Sequence, residues 1–142
     1  ANPQNKIIFE QRATIISAMR SVLDSNGFLE VETPILQQIY GGASARPFKT
    51  FHNTLDESLY LRIADELYLK KLIIGGFEKV YELAKNFRNE GMDRSHNPEY
   101  TSLEFYQAYV DVYYMMDFTE MLIKTIAQKL NVDTVEFNSF KI

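Results

Sequence analysis

The residues of this chain with the greatest chemical potential lie between Val80 and Tyr109. Arg88 and Glu90 stand two positions apart at the end of one predicted strand, about residues 80–89, and Glu104 and Tyr106 stand two positions apart in a second, about residues 100–109. Side chains two positions apart share one face of a strand. Each pair can therefore point the same way, which would gather an arginine, two carboxylates and a phenol on one hairpin.

The segment that joins these strands, Gly91 to Glu99, is also polar and is too long for a tight hairpin turn. It contains Asp93, Arg94, His96 and Asn97. On the strands alone, a charged face that simply meets water is an equally good interpretation. The continuation of that face into a long polar loop favours a functional site, because binding residues are often carried on loops held by rigid elements.

Three segments of this hairpin resemble a known family: FRNEG at 87–91, HNPEY at 96–100 and LEFYQAY at 103–109. Together they are similar to the second signature motif of the class II aminoacyl-tRNA synthetases, in the wording of the lysyl family. Residues of about 80–109 would then form motif 2. The resemblance implies a ligase that uses ATP as a substrate, converts L-lysine to lysyl-adenylate and transfers the lysyl group to tRNA(Lys).

Joining an amino-acid carboxylate to the α-phosphate of ATP brings two anions together, and a planar guanidinium suits the position between them. Arg88 is the candidate catalytic residue for this role, since phosphoryl transfer depends mainly on positioning and charge neutralisation. Glu90 could accept a hydrogen bond from the adenine amino group, and Tyr100 offers a ring for stacking. With the support of the resemblance, the predicted ATP-binding residues are Arg88, Asn89, Glu90, His96, Asn97 and Tyr100.

The predicted lysine site begins with Glu104, a counter-charge for the side-chain ammonium, and Tyr106, which adds a hydroxyl and an apolar ring. A neutral amino acid would leave Glu104 unpaired, which is a physical basis for its rejection. The resemblance adds two residues. Gly42 lies in GGASARPF (41–48), which is similar to a mobile loop that closes over the amino acid, and Glu66 stands where the family holds the α-amino group.

Apolar residues at helical spacing predict three helices, at residues 5–25, 65–75 and 115–131. Asp65 is the expected N-cap of the second helix, which Gly75 and Gly76 should end. Further strands are predicted at 28–34, 58–63 and 132–137. The expected fold is α+β, an antiparallel sheet flanked by helices. The stripes expected to face the core are Ile8, Ile15, Ile16, Met19, Val22 and Leu23; Leu67, Tyr68, Leu72 and Ile73; and Met115, Phe118, Leu122, Ile126 and Leu130.

Residues of about 12–34, a helix followed by a short strand that ends at Pro34, resemble the first signature motif of the same family. In that family the motif builds the dimer interface, so the resemblance implies a homodimer. The third motif, with its ATP-binding arginine and the acidic residues that hold Mg²⁺, is not present. Residues 1–142 are therefore expected to be a partial catalytic domain, inactive or very weak alone, with Mg²⁺ bound only in the complete enzyme.

Composition and net charge narrow the possible classes of protein further. The 142 residues are 46% hydrophobic, contain no cysteine and have a net charge of −4. No apolar run approaches the roughly 20 residues that span a bilayer, so no membrane partner is expected and the predicted location is cytoplasmic. The charge gives no general attraction for nucleic acid. Two alternatives stay open. One is a paralogue that lysylates a translation elongation factor, although FRNEG at 87–91 argues against it, because such paralogues tend to have FRAGE there. The other is a non-catalytic folding or dimerisation module.

Overall fold

The computed structural model describes residues 3–132 and the backbone of 136–137 and 140–141. The chain divides into two compact units, one containing the first and last helices and the other formed by residues 28–109. None of the helices in the described ranges is long and apolar enough to cross a membrane. Helices and mainly antiparallel strands both contribute, so the expected α+β class is confirmed.

The first unit contains helix α1, Pro3–Ser25, and helix α3, Val112–Lys129, which contact each other. Helix α3 begins three residues before the predicted start because the side chain of Asp111 accepts a hydrogen bond from the backbone N–H of Tyr114 at 2.9 Å, as an N-cap does. The predicted stripe of α1 is wrong at Ile8, which is 62% exposed. The buried residues of the two helices are Ala18, Val22, Leu23, Phe118 and Leu122.

The same unit has a two-stranded ladder, β7 (Glu136–Phe137) with β8 (Phe140–Lys141). The predicted strand 132–137 is present at its last two positions, and Val132 lies outside a strand. Residues 133–135 of that prediction lie outside the described residues.

The second unit is built on a three-stranded sheet in the order β1 (Leu29–Glu30), β5 (Lys79–Phe87) and β6 (Glu99–Gln107). Strands β5 and β6 pair antiparallel from Lys79↔Gln107 to Phe87↔Glu99, which confirms the predicted hairpin. Strand β1 covers only two of the predicted residues and pairs parallel with β5. The sheet is thus not wholly antiparallel, because a strand joined by a long crossover instead of a hairpin is free to run parallel.

A smaller antiparallel sheet in the same unit has the order β2 (Leu36–Gln37), β4 (Glu57–Leu61) and β3 (Lys49–His52). Strand β4 confirms the strand predicted at 58–63 but ends two residues early. Arg62, just after it, directs its backbone N–H to the carbonyl of Ile35 at 2.9 Å.

Helix α2, Glu66–Ile74, contacts both β5 and β6 and ends at Gly75, as predicted. Gly76 follows with a φ of 99°. The predicted buried stripe is wrong at one position, since Leu69 is fully buried whereas Leu67 is 44% exposed. Residues two apart on a helix lie about 200° apart, so only one of these leucines can face the sheet.

A buried ion pair, which the sequence analysis did not predict, ties the end of β4 to β5. The Nη1 of Arg62 lies 2.8 Å from Glu82 Oε1, with side chains 3% and 5% exposed. Thr33 donates to Glu82 Oε2 from its hydroxyl at 2.6 Å and from its backbone N–H at 3.2 Å. Arg62 also donates to the carbonyls of Thr33 at 3.1 Å and Lys85 at 2.8 Å. Three separate segments are thereby locked together.

Candidate active site

The loop end of the β5–β6 hairpin holds a cavity of about 670 Å³. Five of the six residues predicted to bind ATP line it: Arg88, Glu90, His96, Asn97 and Tyr100. Asn89 is not part of its lining. Its backbone N–H instead donates to the carbonyl of Arg46 at 2.7 Å. The structure thus brings five predicted residues together and turns the sixth toward the 41–48 loop.

Arg88 is positioned by the hairpin itself. Its backbone N–H donates to the carbonyl of Pro98 at 2.8 Å, which extends the pairing one step beyond β5. Its guanidinium lies over the Tyr100 ring, 5.3 Å from the centroid, a cation–π arrangement. Its Nε is buried and has no hydrogen-bond partner among the described residues. A buried donor of this kind is suited to an incoming oxyanion. One face of Tyr100 is covered by Arg88, so an adenine ring could stack only on the other.

The loop that borders the cavity is closed by Asp93. This carboxylate accepts hydrogen bonds from the backbone N–H groups of Ser95 at 2.7 Å and His96 at 2.8 Å. It also contacts His96 Nδ1 at 2.8 Å. These bonds, that of Ser95 foremost, lower the pKa of Asp93. Because Nδ1 of His96 is engaged, a ligand phosphate would have to be met by Nε2. The side chain of Asn97 donates to the carbonyl of Glu99 at 2.6 Å.

The 41–48 loop reaches the same end of the hairpin. The backbone N–H of Arg46 lies 3.4 Å from Glu90 Oε1, and the Arg46 carbonyl accepts from Asn89. A segment predicted to close over the amino acid is therefore held, in this structure, by Asn89 and Glu90, two of the residues predicted to bind ATP. Closure of this loop and binding of adenine would both change the hydrogen bonds that Asn89 and Glu90 form with the backbone of Arg46.

The four residues predicted to bind lysine form a second group, next to the start of α2. The hydroxyl of Tyr106 donates to Glu104 Oε2 at 2.9 Å. Gly42, with a φ of 85°, lies so close to Glu66 that a Cβ at position 42 would be 3.1 Å from the Glu66 Cβ. The charge of Glu66 also acts on Glu104. The structure therefore places Gly42, Glu66, Glu104 and Tyr106 in one neighbourhood.

The group of residues predicted to bind lysine has more negative than positive charge around Glu104. Burial, the largest cause, and the charges of Asp65 and Glu66 together raise the pKa of Glu104 to about 7, although the hydrogen bond from Tyr106 lowers it. Burial also raises the pKa of Tyr106. A carboxylate that costs this much to ionise gains most from a cationic ligand.

Asp65 stands at the N-cap position of α2, as predicted, but its side chain does not act as the cap. Its side chain makes no capping hydrogen bond. Instead, Asp65 is fully buried and its Oδ1 accepts from the side-chain amide of Asn86 at 3.0 Å. Asn86 donates in turn to the hydroxyl of Ser102 at 2.7 Å. Sequence reasoning missed this network. The apolar Ile63 and Ala64 just before Asp65, both buried, were the available signal that position 65 points inward.

The described residues do not fit a magnesium site. Within the described ranges, no group of three carboxylate, histidine or cysteine side chains comes together in a way that could hold a metal ion. Any Mg²⁺ that accompanies ATP in this family would need ligands from elsewhere.

Comparison with known proteins gives one consistent result. The family described as tRNA synthetases class II (D, K and N) matches residues 1–141. The lysine–tRNA ligase of Ureaplasma urealyticum is 58% identical over 141 residues, 99% of this chain and 29% of that protein. The lysine–tRNA ligase of Chloroflexus aurantiacus is 62% identical over 125 residues, 88% of this chain and 26% of that protein. The corresponding protein of Roseiflexus sp. is 64% identical over 126 residues, 89% of this chain and 26% of that protein. The chain thus spans between a quarter and a third of the length of these relatives, and it belongs to the class II tRNA synthetases of the D, K and N group.

Proposed function

We propose that the complete protein is a lysine–tRNA ligase, which activates L-lysine with ATP to lysyl-adenylate and transfers the lysyl group to tRNA(Lys). The observation that carries the proposal is the half-buried carboxylate of Glu104, which holds the hydroxyl of Tyr106 and lies among further acidic groups. Such a site favours an ammonium ion over a neutral side chain. The similarity to proteins named lysine–tRNA ligase supports the same choice.

In this proposal the two ammonium groups of lysine find separate carboxylates. Glu104 and Tyr106 receive the side-chain ammonium, and Glu66 receives the α-ammonium after releasing Lys70, to which it is now paired. Gly42 offers backbone groups beside Glu66, where the space for a Cβ is already filled. Fixing both ends of the amino acid would leave its α-carboxylate free to react.

The reacting end is assigned to the cavity of the hairpin. Arg88 would lie between the α-carboxylate of lysine and the α-phosphate of ATP, and its unpaired buried Nε supports this role. Arg88 would stabilise the charge of both anions as they approach, which is the contribution expected of a preorganised cation. The remaining predicted residues of the cavity are proposed to hold ATP as a substrate, with Glu90 and the Tyr100 ring at adenine and His96 and Asn97 at the phosphates. Asn89, which stands between Arg88 and Glu90 without lining the cavity, is proposed to support adenine binding.

The test uses lysine-dependent exchange of pyrophosphate into ATP by the complete protein. Glu104→Gln should weaken lysine binding far more than ATP binding, because it removes the counter-charge of one substrate alone. Arg88→Ala should lower kcat about 10²–10³-fold, the usual cost of losing a preorganised charge contact. Glu57→Gln is the matched control, since Glu57 is a carboxylate that accepts a hydrogen bond from Gln38 and is assigned to neither ligand. Equal loss of both ligands with a lowered melting temperature in Glu104→Gln would overturn the lysine assignment.

A homodimer that uses the region of about 12–34 is part of the same proposal. Its support is the motif 1 resemblance and the apolar surface at and beside that region, where Leu29, Ile35 and Leu36 are 50%, 40% and 49% exposed. Sedimentation in which the complete protein stays monomeric at tens of micromolar would contradict it. A cytoplasmic location is proposed as well, because tRNA charging supplies protein synthesis there and the chain contains no cysteine.

A further inference from the structure

Asp65, which the sequence predicted only as a helix cap, lies close to the lysine group, the four residues predicted to bind lysine (Gly42, Glu66, Glu104 and Tyr106). Asp65 is fully buried, and among the described residues only its Oδ1 has a donor, the side-chain amide of Asn86. Its Oδ2 and the Oδ1 of Asn86 are both buried without a hydrogen-bond partner in the described part of the chain. Buried acceptors are rarely left unpaired, and a buried carboxylate even more rarely. Asp65 and Asn86 together therefore lack a hydrogen-bond donor.

Asp65 is linked to Glu104 in two ways. The amide of Asn86 joins Asp65 to the hydroxyl of Ser102 at 2.7 Å, and Ser102 lies two residues before Glu104 on the same face of β6. The charge of Asp65 also acts on Glu104 and raises its pKa. Two neighbouring carboxyl groups are stable together when one of them is protonated, and they repel each other when both are ionised.

The other acidic side chains near Glu104 each have a cation of their own. Glu66, at the start of α2, is paired with Lys70. Glu82, directly opposite Glu104 on β5, is paired with Arg62. Asp65 differs from both, since within the described residues its only partner is a neutral amide. The unbalanced negative charge beside Glu104 is therefore that of Asp65.

We propose that Asp65 is a positioning residue of the amino-acid site and acts through Glu104. In the free site, the buried Asp65 makes Glu104 costly to ionise, so that Glu104 holds a proton. When lysine binds, its side-chain ammonium takes the place of that proton, which leaves to solvent, and Glu104 is then ionised beside the bound cation. The inference rests on the proposed function, because it takes lysine as the ligand.

The consequence is a lysine affinity that depends on pH, with a known sign. The pKa of Glu104 is raised to about 7, first by burial, and the hydrogen bond from Tyr106 opposes the rise. Below that pH the ligand must displace a proton, whereas above it the carboxylate is already free. Since the lysine side chain keeps its charge up to about pH 10, wild-type affinity should fall about tenfold from about pH 8 to about pH 6.

The experiment is calorimetric titration of L-lysine into the complete protein, without ATP, at about pH 6, 7 and 8. Each titration is run in phosphate and in Tris, whose different ionisation heats report the protons released. Asp65→Asn keeps the shape and the acceptor for Asn86 and removes the charge that opposes the ionisation of Glu104. The variant should lose only about twofold in affinity across the same range and release fewer protons. Asp111→Asn, at the N-cap of α3, is the matched control and should keep the wild-type profile.

Asp65→Ser provides a second variant in case the asparagine does not fold, because a hydroxyl can still accept from Asn86. A wild-type protein that does not bind lysine would overturn the proposed function. A wild-type protein that binds lysine with a flat pH profile would overturn the inference and leave the function standing. The same holds if Asp65→Asn and Asp65→Ser keep the full pH dependence.

Discussion

Replacing Arg62 by methionine would probe the buried ion pair that holds the second unit together. Methionine fills much of the same volume but has no charge and no donor. The substitution would leave the carboxylate of Glu82 buried without its cation, with Thr33 as its remaining hydrogen-bond donor. It would also leave the carbonyls of Thr33 and Lys85 without the guanidinium.

The expected cost follows from this burial. Removing one partner of a pair whose side chains are 3% and 5% exposed leaves an uncompensated charge in a poorly solvated place. Changes of this kind typically cost about 3–5 kcal/mol. That is a large part of the roughly 5–15 kcal/mol by which a domain is stable. Adding Glu82→Gln should recover about 1–3 kcal/mol, because the charge that Arg62 neutralised is then gone as well.

The assay is urea unfolding of wild type, the single variant and the double variant. Hydrogen exchange would show whether the loss is local, because the backbone N–H of Phe87 donates to the carbonyl of Arg62 at 2.9 Å. Lys6→Met is the control, since Lys6 and Glu10 form an ion pair with side chains 79% and 62% exposed. Exposed pairs of this kind contribute little.

Two outcomes would refute the reasoning. A loss below about 1 kcal/mol in Arg62→Met would mean that the ion pair behaves like an exposed one. A double variant no more stable than Arg62→Met would mean that the stranded charge of Glu82 is not the source of the cost.

Two further predictions concern the lysine group. Tyr106→Phe removes a hydrogen bond that lowers the pKa of Glu104, so the midpoint of the pH dependence of lysine affinity should move above about 7; calorimetry that finds an unchanged midpoint would contradict this. Gly42→Ala should weaken lysine binding, because its Cβ would lie 3.1 Å and 3.2 Å from the Cβ atoms of Glu66 and Ala64. Gly76→Ala is the control, with a φ of 99° but no atom within 4 Å of the added Cβ. It should cost about 1 kcal/mol of stability and leave lysine binding intact; equal losses of lysine affinity would exclude crowding as the cause.

The parts of the fold that follow from local patterns were predictable from the sequence. Alternating residues predicted the β5–β6 hairpin to within two residues, and helical spacing predicted α1, α2 and α3. The parallel pairing of β1 with β5 was not predictable, because it joins Leu29 to Val80, and the pattern of a two-residue strand does not specify its neighbour. The burial of Leu69 instead of Leu67 could not be predicted either, since it depends on how α2 is rotated against the sheet.

In the candidate site, too, some residues could be predicted from the sequence and others could not. Arg88 and Glu104 could be selected because the hairpin register and the family motif both depend on neighbouring residues. The connection of Asp65 to Asn86, 21 positions later, could not be predicted. An aspartate just before a helix is usually a cap, and only burial against β5 shows that its side chain turns the other way.

Two glutamates at one step of the β5–β6 ladder show how environment separates structure from function. Glu82 and Glu104 are direct cross-strand partners, so their side chains share one face of the sheet. Glu82 is enclosed by Arg62 and Thr33, and its charge is compensated within the fold. Glu104 has the hydroxyl of Tyr106 and the charges of Asp65 and Glu66, which oppose its ionisation. The first carboxylate is therefore satisfied without a ligand. The second gains a matching cation only when one arrives, which is the property required of a site that selects an ammonium group.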